Sequence, residues 1–353
     1  MATPQLKPEL KQALHDGLVI PAHPLALDEN RKLDERHQRA LTRYYIAAGA
    51  GGIAVGVHST QFEIRQVGLY EPVLRLAAEE VEKAKLDRPF IKVAGLVGPT
   101  EQATAEAEIA LSLGYDAGLL SMGGLQDWSE KDILKRTEKV AEKIPVFGFY
   151  LQPSVGGRIF SFDFWREFAE IPGVIAIKMA PFNRYQSLDV VRAVCSSSRR
   201  DEIALYTGND DNIINDLLTT YRFQVDGRTV EKKIVGGLLG HWAVWTKTVV
   251  DMFAEIKKVR DRQDIPAEWL TRNVEVTDCN AAFFDPAHRF AGCIPGIHEV
   301  LRRQGLMRGI WCLNPHETLS PGQAEEIDRV YRAYPHLNDD AFVQAHLKEW
   351  LEA

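Results

Sequence analysis

The sequence predicts an α/β protein, a (β/α)8 barrel (TIM barrel) with a C-terminal helical extension. Three observations carry that expectation. Eight short, apolar, β-rich runs alternate with longer segments of helical period. The runs are apolar on both faces, as strands must be when crossover helices cover a parallel sheet. Eight repeats suit a closed barrel better than the alternative, an open doubly wound sheet.

In chain order, the expected strands are residues 18–21, 53–57, 90–97, 117–121, 146–151, 174–179, 203–207 and 234–239. Between them, segments such as 33–48 (after Asp28), 100–113, 130–143 and 162–171 carry apolar residues at helical spacing with charged residues on the other face. After about residue 258 the alternation stops. The C-terminal remainder reads as helices over 297–305 and 321–334, with an irregular segment at 278–290. The expected division is a barrel over 14–258 and a helical region over 259–353 packed on it.

Composition limits the function classes. With 353 residues, 45 % hydrophobic and 26 % charged, the chain can bury a large core. A net charge of −7, with acids and bases interspersed and only Arg199 and Arg200 as a basic cluster, argues against nucleic acid as a partner. No apolar run reaches the roughly 18 residues that a membrane span requires, and the first 17 residues are polar and charged, so a cytoplasmic protein is expected. Cys195, Cys279, Cys293 and Cys312 lie far apart without a Cys-x-x-Cys pair, which points to reduced thiols rather than a disulfide or zinc framework. No Gly-x-Gly-x-x-Gly follows the first strand, and no Gly-x-x-x-x-Gly-Lys-Ser/Thr occurs. Gly236, Gly237 and Gly240 read as close backbone packing at the barrel rim, with a phosphate cradle as the alternative.

Chemistry in such barrels sits at the C-terminal ends of the strands. Those ends offer His23, then His58, Ser59 and Thr60, then Tyr150, Lys178, the Gly208-Asn209-Asp210 turn, and His241. Lys178 is the anomaly, because Val-Ile-Ala-Ile-Lys-Met-Ala predicts a buried strand in which a lysine is costly. Desolvation would lower its pKa and supply the neutral amine that attacks a carbonyl. The alternative is a lysine whose ammonium leaves the strand end for water or an acid. Tyr150 could meet Lys178 over the mouth if both point inward and relay protons there, or it could be a packing residue. The His-Ser-Thr loop could hold a carboxylate with hydroxyls and backbone amides, or be a turn. His23, His58, His241 and Asp210 raise a second possibility, a metal-dependent barrel hydrolase, although the first strand lacks a His-x-His pair. A third is a degenerate barrel serving as a binding or regulatory module.

Together these segments resemble the dihydrodipicolinate synthase and N-acetylneuraminate lyase family of class I, Schiff-base aldolases, over nearly the whole chain. Val19-Ile20-Pro21-Ala22-His23-Pro24 resembles the family's first strand, with His23 in place of a threonine. The run from Gly52 to Thr60 resembles the strand entering the Gly-Thr-Thr-Gly-Glu loop, its hydroxyl residues falling on Ser59 and Thr60 and His58 replacing a glycine. Phe149-Tyr150-Leu151-Gln152-Pro153 resembles the Tyr-Asn-x-Pro motif, and Ile175-Ala176-Ile177-Lys178 the Gly-x-Lys segment. Tyr206-Thr207-Gly208-Asn209-Asp210 resembles the Ser-Gly-Asp-Asp turn, and Gly236 to Gly240 the Gly-x-x-Gly segment. The resemblance implies a 2-keto-acid lyase, aldolase or hydratase of the pyruvate type. It implies Lys178 as Schiff-base nucleophile, Tyr150 as proton shuttle, and substrate binding by Ser59, Thr60, His58, Gly208 and Asn209. It also implies a small keto acid as partner, no cofactor or metal, and a homodimer or homotetramer. Val155 stands where true dihydrodipicolinate synthases carry an arginine, and Ser121-Met122-Gly123-Gly124 where they carry an aromatic pair, so that particular synthase activity is not expected.

Overall fold

The computed structural model describes residues 3–352. The strands are β1 (Val19–Pro21), β2 (Gly52–Val55), β3 (Ile91–Leu96), β4 (Ala117–Ser121), β5 (Val146–Leu151), β6 (Val174–Ala180), β7 (Ala204–Thr207), β8 (Thr220–Val225) and β9 (Arg228–Leu239). All except β8 run parallel, in the order β1-β9-β7-β6-β5-β4-β3-β2. The ring closes where Ala22 bridges Ala54 and the His23 N–H donates to the Ala54 carbonyl at 2.8 Å. This is the expected barrel. Among the described residues, no helix is long and apolar enough to cross a membrane.

One strand departs from expectation. β9 begins at Arg228 rather than 234, because its first half forms an antiparallel hairpin with β8, from Thr220 opposite Lys233 to Val225 opposite Arg228. Asp226 and Gly227 at the tip both have positive φ (49° and 75°), as an Asp-Gly two-residue hairpin turn requires. The hairpin lies outside the barrel, so its residues alternate between exposed and half-buried and do not show the apolar run that marks a barrel strand.

Helices α1 (Pro8–Asp16), α2 (Glu35–Ala48), α3 (Tyr70–Lys83), α4 (Thr100–Ser112), α5 (Glu130–Ala141), α6 (Phe162–Glu170), α7 (Arg184–Ser196), α8 (Ile213–Leu218) and α9 (Thr246–Val259) belong to the barrel's β/α repeats or, for α1, precede them. α10 (Glu268–Phe284), α11 (Cys293–Arg303), α12 (Gln323–Ala333) and α13 (Asp340–Glu352) complete the chain's helices. The expected irregular stretch at 278–290 is corrected here: α10 stays helical to Phe284 and stops at Asp285, whose φ is +56°. Thr277 and Asn280 interrupt the apolar period of α10 because they have tertiary tasks. They donate to the backbone carbonyls of Asp211 (3.0 Å) and Asp210 (2.6 Å), fastening α10 to the turn after β7.

Strand parity divides the core in two. Side chains such as Ile20, Val93, Leu119, Phe147, Phe149, Ala176 and Tyr206 fill the barrel interior, while Ile53, Leu120, Tyr150, Ile177 and Met179 pack under the helices. α1 plugs the N-terminal end, where Leu10 and Leu14 join the interior cluster and the Tyr206 hydroxyl donates to the Leu14 carbonyl at 2.8 Å. Each of those leucines contributes roughly 1.5–3 kcal/mol by burial. With the bottom filled, the pocket left in the barrel is lined from the C-terminal ends of the strands, by Leu151, Lys178, Gly208 and Gly240 among others.

Candidate active site

Alternation along β6 turns Ala176, Lys178 and Ala180 inward, so the lysine rises between two small residues. Lys178 is only 7 % exposed. Its Nζ lies 4.3 Å from the centroid of the Phe149 ring, which the β5–β6 register sets directly opposite. Gly208 gives the stem its passage, since a Cβ there would stand 2.5 Å from Lys178 Cε and 2.9 Å from Ala180 Cβ. The amine looks into a pocket of about 60 Å³ that also touches His58, Ser59, Val155 and Asp210. One water needs about 10–15 Å³, so the pocket has room for roughly four to six water-sized groups.

Burial lowers the Lys178 pKa, and the Asp210 carboxylate pulls it back up. Burial raises the Asp210 pKa, opposed by the His241 N–H, which donates to Oδ1 at 3.0 Å, and by Lys178. The two shifts bring the titrations of a base and an acid towards each other, which is the condition for an amine that can be neutral beside a carboxyl that can hold a proton. His58 is lowered to about 4, first by burial and then by the Lys178 charge, and faces the pocket as a neutral ring.

The residues singled out in the sequence divide between those that line the pocket and those that support it. Lys178, His58, Ser59 and Gly208 line it. Thr60 does not: its Oγ1 accepts from the N–H groups of Gly56 (3.0 Å) and Val57 (3.2 Å) and donates to the His23 carbonyl (2.6 Å), locking the loop. Ser59 Oγ donates to the Ala22 carbonyl at 2.8 Å. Asn209 is fully buried behind the pocket wall, donating to Asp216 Oδ2 (3.0 Å) and accepting from the Phe182 N–H (3.1 Å).

Tyr150 is a correction. It points out of the barrel, packed 4.9 Å from Trp165 and 6.0 Å from Phe160 between ring centroids, and its hydroxyl only accepts from the Phe160 N–H at 3.4 Å. Counting back from Pro153 selects Tyr150, but strand parity turns Phe149 and Leu151 inward instead. The histidines also disperse. His23 bonds the Pro24 carbonyl and Thr42 Oγ1, both at 2.9 Å, away from the pocket. Among the described residues, no three His, Cys, Asp or Glu side chains come together as a ligand set, so the residues of the hydrolase reading do not converge. Gly236 and Gly237 are packing glycines, since Cβ atoms there would meet Leu18 backbone at 2.6 Å and the Trp242 ring at 2.6 Å. Sequence reasoning missed Asp210 as a partner of Lys178. Its place two residues after Gly208, on the turn beside β6, was the available signal.

Fold and site together define a parallel β/α barrel with a buried lysine and a buried carboxyl at its mouth. No family model matches the chain. It is 28 % identical over 203 residues to N-acetylneuraminate lyase of Citrobacter koseri, a match that covers 57 % of this chain and 65 % of that protein, just under two thirds of the relative's length. The fold matches dihydrodipicolinate synthase from Oceanobacillus iheyensis with a TM-score of 0.70 and 14 % identity, over 93 % of this chain and 99 % of that one. It matches YagE, a prophage protein of the dihydrodipicolinic acid synthase family from E. coli K12 in complex with pyruvate, with a TM-score of 0.71 and 16 % identity, over 90 % and 97 %. These similarities bear out the resemblance read from the motifs: in sequence and fold the chain is similar to the dihydrodipicolinate synthase and N-acetylneuraminate lyase family.

Proposed function

We propose that the protein is a 2-keto-acid lyase or aldolase acting through a Schiff base on Lys178, with pyruvate or a pyruvyl compound as the keto acid. The supporting observation is a buried, pKa-lowered lysine opening into a pocket the size of a three-carbon keto acid, with one carboxyl beside it. The neutral amine adds to the keto carbon, the carbinolamine loses water, and a protonated imine remains. Loss of a proton from the methyl group then gives an enamine, the iminium nitrogen having taken the electron pair.

In the synthetic direction the enamine carbon attacks an aldehyde, one carbon–carbon bond forms, and the aldehyde oxygen takes one proton. Water then hydrolyses the iminium and releases a 4-hydroxy-2-keto acid. Cleavage is the reverse. The His58–Ser59 loop receives the keto-acid carboxylate through its backbone N–H groups, the Ser59 hydroxyl proton being held by the Ala22 carbonyl. Asp210, in the role first expected of Tyr150, delivers and removes the proton at the aldehyde oxygen.

The test is borohydride trapping with pyruvate, read by intact mass and a peptide map. The expected result is one reduced pyruvyl group on Lys178, lost in Lys178→Ala. Labelling confined to surface lysines, or none with pyruvate and a panel of 2-keto acids, overturns the reading.

A further inference from the structure

Beyond the lysine pocket lies a second chamber of about 240 Å³, and the two share Phe182, Asp210, Phe284 and Phe290 as walls. The remaining lining of the outer chamber is Asp211 on the turn after β7, Thr277, Asn280 and Ala281 on α10, and Pro286 just beyond it. Two of its polar side chains are tied to backbone, Thr277 to the Asp211 carbonyl at 3.0 Å and Asn280 Nδ2 to the Asp210 carbonyl at 2.6 Å, while Asn280 Oδ1 has no partner among the described residues and Asp210 and Asp211 add carboxylates. No lysine, arginine or histidine lines it. An anionic group entering here would shed water, meet two carboxylates and find no cation, and a polyhydroxylated one would set most of its hydroxyls against phenylalanine, alanine and proline walls, whereas an apolar cavity of about 150 Å³ accepts a benzene ring.

Two of the shared walls are held in place by their backbone. The rings of Phe182 and Phe290 meet with centroids 5.6 Å apart and planes at 52°. Both residues have left-handed backbone, φ +50° and +66°, a conformation that is strained for a bulky side chain and is held only when neighbours enforce it. Hydrogen bonds from those neighbours are present. Asn209 Oδ1 accepts from the Phe182 N–H at 3.1 Å. The Asp285 carbonyl accepts from the Phe290 N–H at 2.9 Å, and the Asp285 carboxylate accepts from the Gly292 N–H at 3.1 Å and from the Ser320 hydroxyl.

We infer that the outer chamber is the binding site for an apolar substituent of the aldehyde partner, an aryl or branched alkyl group clasped by Phe182, Phe284 and Phe290. The inference rests on the Schiff-base reading. Asp210 faces both chambers, so an aldehyde whose substituent fills the outer one presents its carbonyl between Asp210 and the enamine on Lys178. Val155, on the wall of the inner pocket, adds no charge there.

The experiment measures pyruvate-dependent aldol formation by wild-type protein with benzaldehyde and 3-methylbutanal, against aspartate semialdehyde and N-acetylmannosamine, alongside borohydride trapping with pyruvate alone. The apolar aldehydes are expected to have kcat/KM at least tenfold higher. Ala281→Trp, at a position that lines the outer chamber and not the lysine pocket, should lower kcat/KM for benzaldehyde about tenfold through KM while leaving the pyruvate adduct on Lys178 at wild-type yield. That retained adduct also reports that the variant is folded. Equal or better turnover of the acidic or polyhydroxylated aldehydes, or an unchanged benzaldehyde KM in Ala281→Trp with the adduct intact, overturns the inference and leaves the Schiff-base reading standing. Absence of the adduct in wild type overturns both.

Discussion

Lys178 and Asp210 shape each other's titration, and the consequences can be separated by one substitution. Adduct formation needs the neutral amine, so its rate should rise with pH through the Lys178 titration. Burial sets that inflection below the ordinary lysine value of about 10.4. Asp210 raises the lysine's pKa, so removing its charge in Asp210→Asn should move the inflection to lower pH. The adduct at neutral pH should therefore persist. Turnover of a full aldol substrate should fall by about 10² to 10⁴, the usual worth of a positioned acid or base. A pH–rate profile of trapping, set beside steady-state turnover, checks both halves. If Asp210 only tuned the lysine, turnover would follow trapping.

Within a strand, parity outranks the motif. In β5 the residue opposite Lys178 is Phe149, and its neighbour Tyr150 belongs to the layer under α6. Tyr150→Phe is therefore expected to leave both trapping and turnover within about twofold, since the hydroxyl makes a single 3.4 Å contact outside the barrel. Phe149→Ala should instead lower the trapping rate at a fixed pH below the inflection. Water entering where the ring stood, 4.3 Å from Nζ, relieves the burial that holds the lysine's pKa down. Trapping kinetics on the two variants decide between the parity argument and the motif. Tertiary demands likewise shape α10, whose Thr277 and Asn280 weaken its helical pattern because they hold the Asp210 turn.

Across the whole molecule, buried histidines give stability a pH dependence. His23, His58, His241 and His298 are each lowered from 6.5 to about 4, chiefly by burial. Below pH 6.5 the unfolded chain binds protons that the folded chain refuses, so stability is present above that pH and is lost as pH falls towards 4. Each group can account for about 3 kcal/mol over that interval. The melting temperature should therefore drop steeply between pH 6.5 and 4, and His298→Gln should flatten the slope by about a quarter. Thermal melts by circular dichroism across that range measure it.

The sequence by itself determined a covered parallel sheet of eight β/α repeats, because strands apolar on both faces need helices over them, and it singled out Lys178, because a lysine in such a strand has nowhere inexpensive to go; closure into a barrel was read from the count alone. It also marked Ser59, His58 and Gly208 by their places at strand ends. Tertiary structure decided the rest. Whether Phe149 or Tyr150 faces the lysine depends on strand parity relative to the barrel axis, which a one-residue shift reverses. The pairing of Lys178 with Asp210 depends on two strand ends meeting across 32 residues of chain. The apolar outer chamber joins the turns after β6 and β7 to α10 and the loop beyond it, so no local pattern in the chain could announce it.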